Sequence, residues 1–182
     1  AVAYAWCGEG KKAPGRIAFV GSQRSSDRAS SDAAQNLIAA VTWAAQGPIA
    51  NGNLSDCVVV AMHRTSDYGA CSIHAATGVR KLHSSRRDAF RPVNTQPLAT
   101  VSIDEGTIEI ELSEHYQKNR MQHSEREIAT AASRFKSDLS IRQFMSGPWL
   151  LSAEINEAIE SNVDALVIHG TGLGHVPIEN PN

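Results

Sequence analysis

The chain has 182 residues, 42% of them hydrophobic and 20% charged, with a formal net charge of −2. That suffices for one domain or for parts of two around a real core, and it excludes both a disordered polyelectrolyte and a uniformly basic nucleic-acid domain. Cys7, Cys57 and Cys71 form no CxxC pair and no apolar run reaches membrane-spanning length, so a reduced, cytosolic protein without a signal peptide is the expectation.

In chain order, AVAYAW lacks an initiator Met and reads as a helix already under way; a piece of a longer protein is expected, with a processed N-terminus as the alternative. IAFV, residues 17–20, is a buried strand that meets Gly21. The polar loop SQRSSDRASS leads into DAAQNLIAAVTWAAQG, a helix with Ala33, Leu37, Ala40, Val41 and Ala44 on one face, Ser30 or Ser31 at its start and Gly47 at its end. CVVVAM, residues 57–62, is the next strand, and strand, helix and strand in this order predict a parallel βαβ unit. LATVSI and TIEIEL flank Asp104-Glu105-Gly106 as a hairpin. Residues 113–134 are highly polar with a poor apolar stripe, an exposed helix or a linker. A second βαβ rhythm follows: LSIRQF, then LLSAEINEAIESN with Leu151, Ile155, Ala158 and Ile159 inward, then DALVIHG running into GTGLGHVP.

Four features bear on chemistry. GTGLGH, residues 170–175, follows a strand, but Pro177 comes too soon for the helix that a dinucleotide fingerprint needs; a turn that shapes a ligand site, or a plain tight turn, is expected. The seven histidines show no metal-binding spacing, and His63, His74 and His83 lie far apart in the chain. The loop GSQRSSDRASSD, residues 21–32, sits at the carboxyl end of a strand, where ligand sites of open α/β sheets gather; it reads equally as a binding loop or as helix caps and internal pairs. GVRKLHSSRRDAFRPVN, residues 78–94, carries five Lys or Arg against the single acid Asp88, a local excess of four, so the rest of the chain sums to −6. Neighbouring cations disfavour a lysine's charged form, and a lysine so placed can serve as a general base. A solvated basic loop is the plainer reading of the same residues.

Taken together, GRIAFVGSQRSSDRASSDAAQNLIAAV, VRKLHSSRRDAFRPVN and VDALVIHGTGLGHVP resemble the type I asparaginase and glutaminase family. Within it they look most like the branch formed by the D subunits of archaeal glutamyl-tRNA(Gln) amidotransferases. The resemblance implies an α/β fold: a flavodoxin-like parallel-sheet domain, its later part at residues 1–112, a linker at 113–133, and the first part of a smaller α/β C-terminal domain at 134–182. It implies hydrolysis of a side-chain amide through a threonine nucleophile, an acyl-enzyme and release of ammonia. Lys81 falls where the family's catalytic lysine lies, nine residues before Phe90 of an FxxVN motif completed by Val93 and Asn94.

The family's TGGTI-like segment and its Thr-Asp motif are absent from these 182 residues, and neither Thr65 nor Thr77 sits in a matching pattern, so these residues alone are expected to be inactive. The resemblance further implies glutamine, or asparagine, as substrate and, as partner, the amidotransferase's E subunit, which uses ATP and Mg and brings Glu-tRNA(Gln). It implies no cofactor in this chain, a homodimer of the full-length protein and a cytoplasmic setting. The rivals are a free-standing cytosolic L-asparaginase, an inactive module that kept the fold, and a nucleic-acid binder.

Overall fold

The computed structural model describes residues 15–48, 57–123 and 138–176. The AVAYAW start, expected as a helix, lies outside the described residues, as do Cys7 and Pro177. Contacts divide the chain into two units, Ala1–Ser133 and Arg134–Asn182.

The first unit is built on a five-stranded sheet. The expected strand β1 (Ile17–Val20), helix α1 (Ala33–Gln46) and strand β2 (Val58–His63) are present, and β1 and β2 pair in parallel, Ile17 opposite Val58. Beyond β2 the sheet becomes antiparallel through β3 (Ala70–Ala75), and β4 (Val79–Lys81) and β5 (Phe90–Pro92) form a separate ribbon; with β6 (Ala99–Asp104) and β7 (Thr107–Leu112) the sheet order is β1-β2-β3-β6-β7. The sheet is therefore mixed. The physical reason is connection length: residues 64–69 are too few for the crossover that a parallel neighbour requires. Strands β6 (Ala99–Asp104) and β7 (Thr107–Leu112) form the expected hairpin. Glu105 at φ 39° and Gly106 at φ 89° make its two-residue loop, both in the left-handed region that primed hairpin turns demand.

One face of this sheet packs on α1. Val59 and Ala61 of β2, Cys71 and Ile73 of β3, and Ala99 and Val101 of β6 meet Ala39, Ala40 and Trp43 of the helix. The buried side of α1 is Asn36, Ala39, Ala40, Thr42 and Trp43, whereas Leu37 and Val41 stand 54% and 58% exposed. Of the expected stripe only Ala40 is buried. Both sets recur at helical spacing; the sheet takes the one whose two alanines let the backbones approach and whose Asn36 has buried partners to satisfy. Helix α2 (Glu114–His123) opens the polar stretch and is not wholly an exposed connection: its Tyr116 is 2% exposed and sits in the same core, 6.2 Å from the Trp43 ring.

The second unit holds strands β8 (Ile141–Met145) and β9 (Ala165–His169) in parallel, with α3 (Ser152–Glu160) between them in sequence. The Glu154 carboxylate accepts the Leu151 N–H at 3.2 Å and closes the start of α3. Among the residues expected inward, Ala158 is buried and Ile155 half-buried, while Leu151 and Ile159 are exposed. Among the described residues the unit offers two strands of five residues, too narrow a floor to cover a helix face of that width. Among the described residues no helix is long and apolar enough to cross a membrane.

Trp43 carries much of the first unit's core. It is fully buried, meets Tyr116, and has the Arg16 guanidinium 5.4 Å from its ring. Trp43→Ala is expected to lower stability by about 3–5 kcal/mol, read as a drop in the urea midpoint with an unchanged slope.

Candidate functional site

Three chain segments meet at the carboxyl end of the parallel pair. The first is the 21–32 loop after β1. The second is the 64–69 connection after β2. The third is the 82–89 turn that closes the β4–β5 ribbon. In open α/β sheets this edge is where ligands bind.

Asp32 fixes the first segment from below. It is fully buried, and its carboxylate accepts the backbone N–H of Gln23 at 2.9 and 3.1 Å, that of Arg24 at 3.0 Å and the Asn36 amide at 2.8 Å. Burial pushes its carboxyl up, but the backbone donors of Arg24 and Gln23 and the Asn36 amide together outweigh burial and hold it below the ordinary 3.8. The helix itself starts on another acceptor, Ser31 Oγ, which takes the Ala33 N–H at 3.2 Å. Asn36 carries the network onward. Its Nδ2 faces the Gly21 carbonyl and Asp32, so its Oδ1 must be what meets His63 Nδ1 at 2.7 Å. His63 therefore donates from Nδ1. Burial favours its neutral form, opposed by Asp32 and assisted by the Arg87 charge, and its pKa lies below the usual 6.5. Cys71 lies beside this pair, 3.5 Å from Asn36 Oδ1; burial, then Asp32, pushes its thiol up to about 12, which keeps it un-ionised.

Arg87 ties the three segments together. It is 7% exposed and pairs with no carboxylate among the described residues. Its guanidinium donates from Nε and Nη2 to the Ser30 carbonyl at 3.2 and 2.6 Å, from Nη1 to the Ser66 carbonyl at 2.7 Å and from Nη2 to Tyr68 Oη at 3.0 Å. It also lies 4.2 Å from the centre of the Tyr68 ring, and Tyr68 donates to the Ala29 carbonyl at 3.0 Å. Asp88, next in the chain, takes both nitrogens of Arg86 at 2.9 and 2.7 Å and also pairs with Arg91. Burial raises its carboxyl and the two arginines lower it more, so it titrates below the ordinary 3.8.

Lys81, the one residue that sequence singled out for chemistry, ends β4 opposite Phe90, exposed, with its Nζ 6.0 Å from the Phe90 ring centre. The 21–32 loop lies against the segment that follows Lys81. Gln23 Nε2 donates to the Arg86 carbonyl at 2.9 Å and to that of His83 at 3.4 Å, two residues beyond Lys81. His83, His63 and His74 do not converge: His83 Nδ1 accepts the N–H groups of Ser85 and Arg86, and His74 lies on the sheet face away from His63. Among the described residues no group of His, Cys, Asp and Glu is placed to hold a metal. In the second unit, Gly170–His175 forms a closed turn in which Gly174, at φ 79°, donates to the Thr171 carbonyl at 2.7 Å. Sequence reasoning missed Asn36 as a partner of Asp32 and His63 as the partner of Asn36. The one available signal was the DAAQN spacing, which sets Asp32 and Asn36 one helical turn apart on one face.

The family model described as Asparaginase, N-terminal matches residues 10–118, more than half of the chain, with all three converging segments inside it. The chain belongs to the asparaginase family. The D subunit of the Pyrobaculum aerophilum glutamyl-tRNA(Gln) amidotransferase is 36% identical over 168 residues, 91% of this chain and 36% of its own length. That of Methanosarcina acetivorans is 40% identical over 171 residues, 91% of this chain and 35% of its own. The chain thus spans about a third of the length of the curated relatives it matches. Among solved structures, the thermostable L-asparaginase from Thermococcus kodakarensis aligns with a TM-score of 0.61 at 22% identity, covering 100% of this chain and 48% of that one, a likeness of fold.

Two expectations follow from the site. Arg87→Ala leaves the Ser30 and Ser66 carbonyls without a donor and should cost about 2–4 kcal/mol. Arg87→Lys should recover little of it, since a point ammonium cannot span both carbonyls; denaturant unfolding of the two variants checks this. His74, 3% exposed on β3, is held to a pKa of about 4 by burial and then by Arg91. The unfolded chain protonates there near 6.5, so the residue's contribution is full above pH 6.5, is lost as pH falls toward 4, and changes no further below. At 1.36 kcal/mol per pH unit the span is worth about 3 kcal/mol. His74→Leu should flatten the stability–pH curve in that window, measured by urea unfolding at stepped pH.

Proposed function

We propose that this chain is part of the glutaminase subunit of a glutamyl-tRNA(Gln) amidotransferase. The observation that carries the reading is the match to D subunits over 91% of the chain, through the 21–32 loop and the Lys81 ribbon alike. In this reading Lys81 acts as the base. It takes the proton of a threonine hydroxyl contributed by another part of the full-length chain. The threonine oxygen attacks the side-chain amide carbon of glutamine, ammonia leaves, and water hydrolyses the acyl-enzyme to glutamate. The ammonia passes to a partner, the amidotransferase's E subunit, which uses ATP and Mg to convert Glu-tRNA(Gln) to Gln-tRNA(Gln). The full-length protein works in the cytoplasm as a homodimer, and this chain itself holds no cofactor. Residues 1–112 belong to its N-terminal asparaginase-like domain, 113–133 to a linker and 134–182 to the C-terminal domain.

Lys81→Met in a full-length chain carrying these residues tests the assignment. Met keeps most of the stem and removes the amine, so packing changes little. Ammonia release from glutamine should fall by roughly a hundred- to ten-thousand-fold, with the melting temperature within a few degrees of the parent. Near-normal turnover would remove Lys81 from the chemistry. Faster release from asparagine than from glutamine by the unmodified protein would favour an L-asparaginase instead.

A further inference from the structure

A ribbon of three residues per strand does not hold its own orientation in water. The β4–β5 ribbon that carries Lys81 is held at its tip by two side-chain attachments to the 21–32 loop. One is Arg87, buried and forked over the Ser30 carbonyl. The other is Gln23, only half-buried, which donates from Nε2 to the Arg86 and His83 carbonyls. The two attachments differ in kind. Arg87 is built into the packed interior and its loss damages the whole edge. Gln23 lies near the surface and reaches the tip at Arg86 and, at 3.4 Å, at His83, two residues beyond Lys81.

Gln23 is also fixed from behind. Its own N–H is held by both oxygens of the Asp32 carboxylate, which is anchored to Asn36, which is anchored to His63 at the end of β2. An unbroken line of hydrogen bonds therefore runs from the sheet to the ribbon tip. The tip is stiff enough to transmit it: Leu82 N–H bonds to the Ala89 carbonyl at 2.8 Å, and Ala89 N–H to the Arg86 carbonyl at 3.2 Å. A shift of the tip at Arg86 or His83 is thus passed to Lys81 rather than absorbed between them.

We propose that Gln23 is a positioning residue for Lys81, its side-chain amide setting the seat of the ribbon tip on the β1–α1 loop. The inference rests on the reading of Lys81 as the base. A base must sit within hydrogen-bond reach of the proton it takes, and a misplacement of about 1 Å can cost a hundredfold in rate. Gln23 makes no hydrogen bond to Lys81 and acts through the seat of the tip, so its effect belongs to turnover and not to substrate affinity.

The experiment compares Gln23→Ala, Gln23→Lys and Lys81→Met in the full-length protein, with ammonia release from glutamine as the assay and a melting curve for each. Gln23→Ala removes the donor and should lower kcat about ten- to a hundredfold, with KM within about twofold and the melting temperature nearly unchanged. Gln23→Lys restores an N–H donor of similar reach and should recover most of kcat, which a merely structural role does not predict. Parental kcat in Gln23→Ala beside an inactive Lys81→Met overturns the positioning role alone. A kcat loss that tracks a falling melting temperature in both Gln23 variants assigns the residue to stability and overturns it too. An active Lys81→Met overturns this inference together with the function on which it rests.

Discussion

A buried guanidinium that meets no carboxylate among the described residues is an expensive group, and the carboxyl edge of the first unit is arranged around one. Arg87 is held by the Ser30 and Ser66 carbonyls and by the face and hydroxyl of Tyr68. Carbonyl dipoles and an aromatic face suit arginine, which is more weakly hydrated than lysine and delocalises its charge over a plane. The constraint acts in both directions. The carbonyls of two loops must turn inward to satisfy the cation, and once they do, the loops after β1 and β2 have no freedom to separate. The ribbon tip that carries Arg87 is drawn down onto them. Remove that charge and three segments lose their common reference.

The same economy disposes of the basic stretch. Five Lys or Arg between residues 78 and 94 suggest a positive surface, yet Arg87 is interior, and Arg86 and Arg91 share the nearly buried Asp88. Asp88 thus does for the outer side of the turn what Asp32 does for the inner loop: it is a buried carboxylate whose several donors keep it ionised. Of the five cations, Arg80 and Lys81 stand exposed outside these pairs. The stretch is chiefly a scaffold that presents one amine.

Much of this was legible in the sequence, for reasons that differ by element. IAFV, CVVVAM and DALVIHG read as strands because their apolar runs are short and bounded by turn residues, TIEIEL because Ile108, Ile110 and Leu112 alternate with polar residues, and DEG between two such strands named a hairpin. β3 was not legible: ACSIHA alternates Cys71, Ile73 and Ala75 toward α1 with Ser72 and His74 on the far face, and neither series is apolar enough to announce a strand. The ribbon strands are too short for any period to show. The buried side of α1 was misplaced because Leu37 and Val41 are the more hydrophobic residues, while the sheet prefers the smaller ones. Lys81 was found by resemblance, not by pattern. Asn36 and His63 escaped because a polar chain is defined by who meets whom across the fold, and here the partners sit 27 residues apart in the sequence.

The mixed character of the sheet also bears on the order in which the first unit assembles. Asp104 and Thr107 pair across a two-residue turn, and such a hairpin closes in about 1–10 microseconds. β3 to β6 and β2 to β3 extend the sheet by antiparallel neighbours. The parallel pair is different: Ile17 meets Val58 only after the whole of α1 has been laid between them, and such non-local pairing is slow because chain entropy is lost before the contact rewards it. Contact order therefore favours the β6–β7 and β2–β3 pairs early, and the β3–β6 and β1–β2 pairs, whose partners lie farther apart in the chain, are expected later. The Asp32 and Arg87 networks stand on the β1–β2 edge, so the candidate site is expected to be among the last parts of the first unit to form.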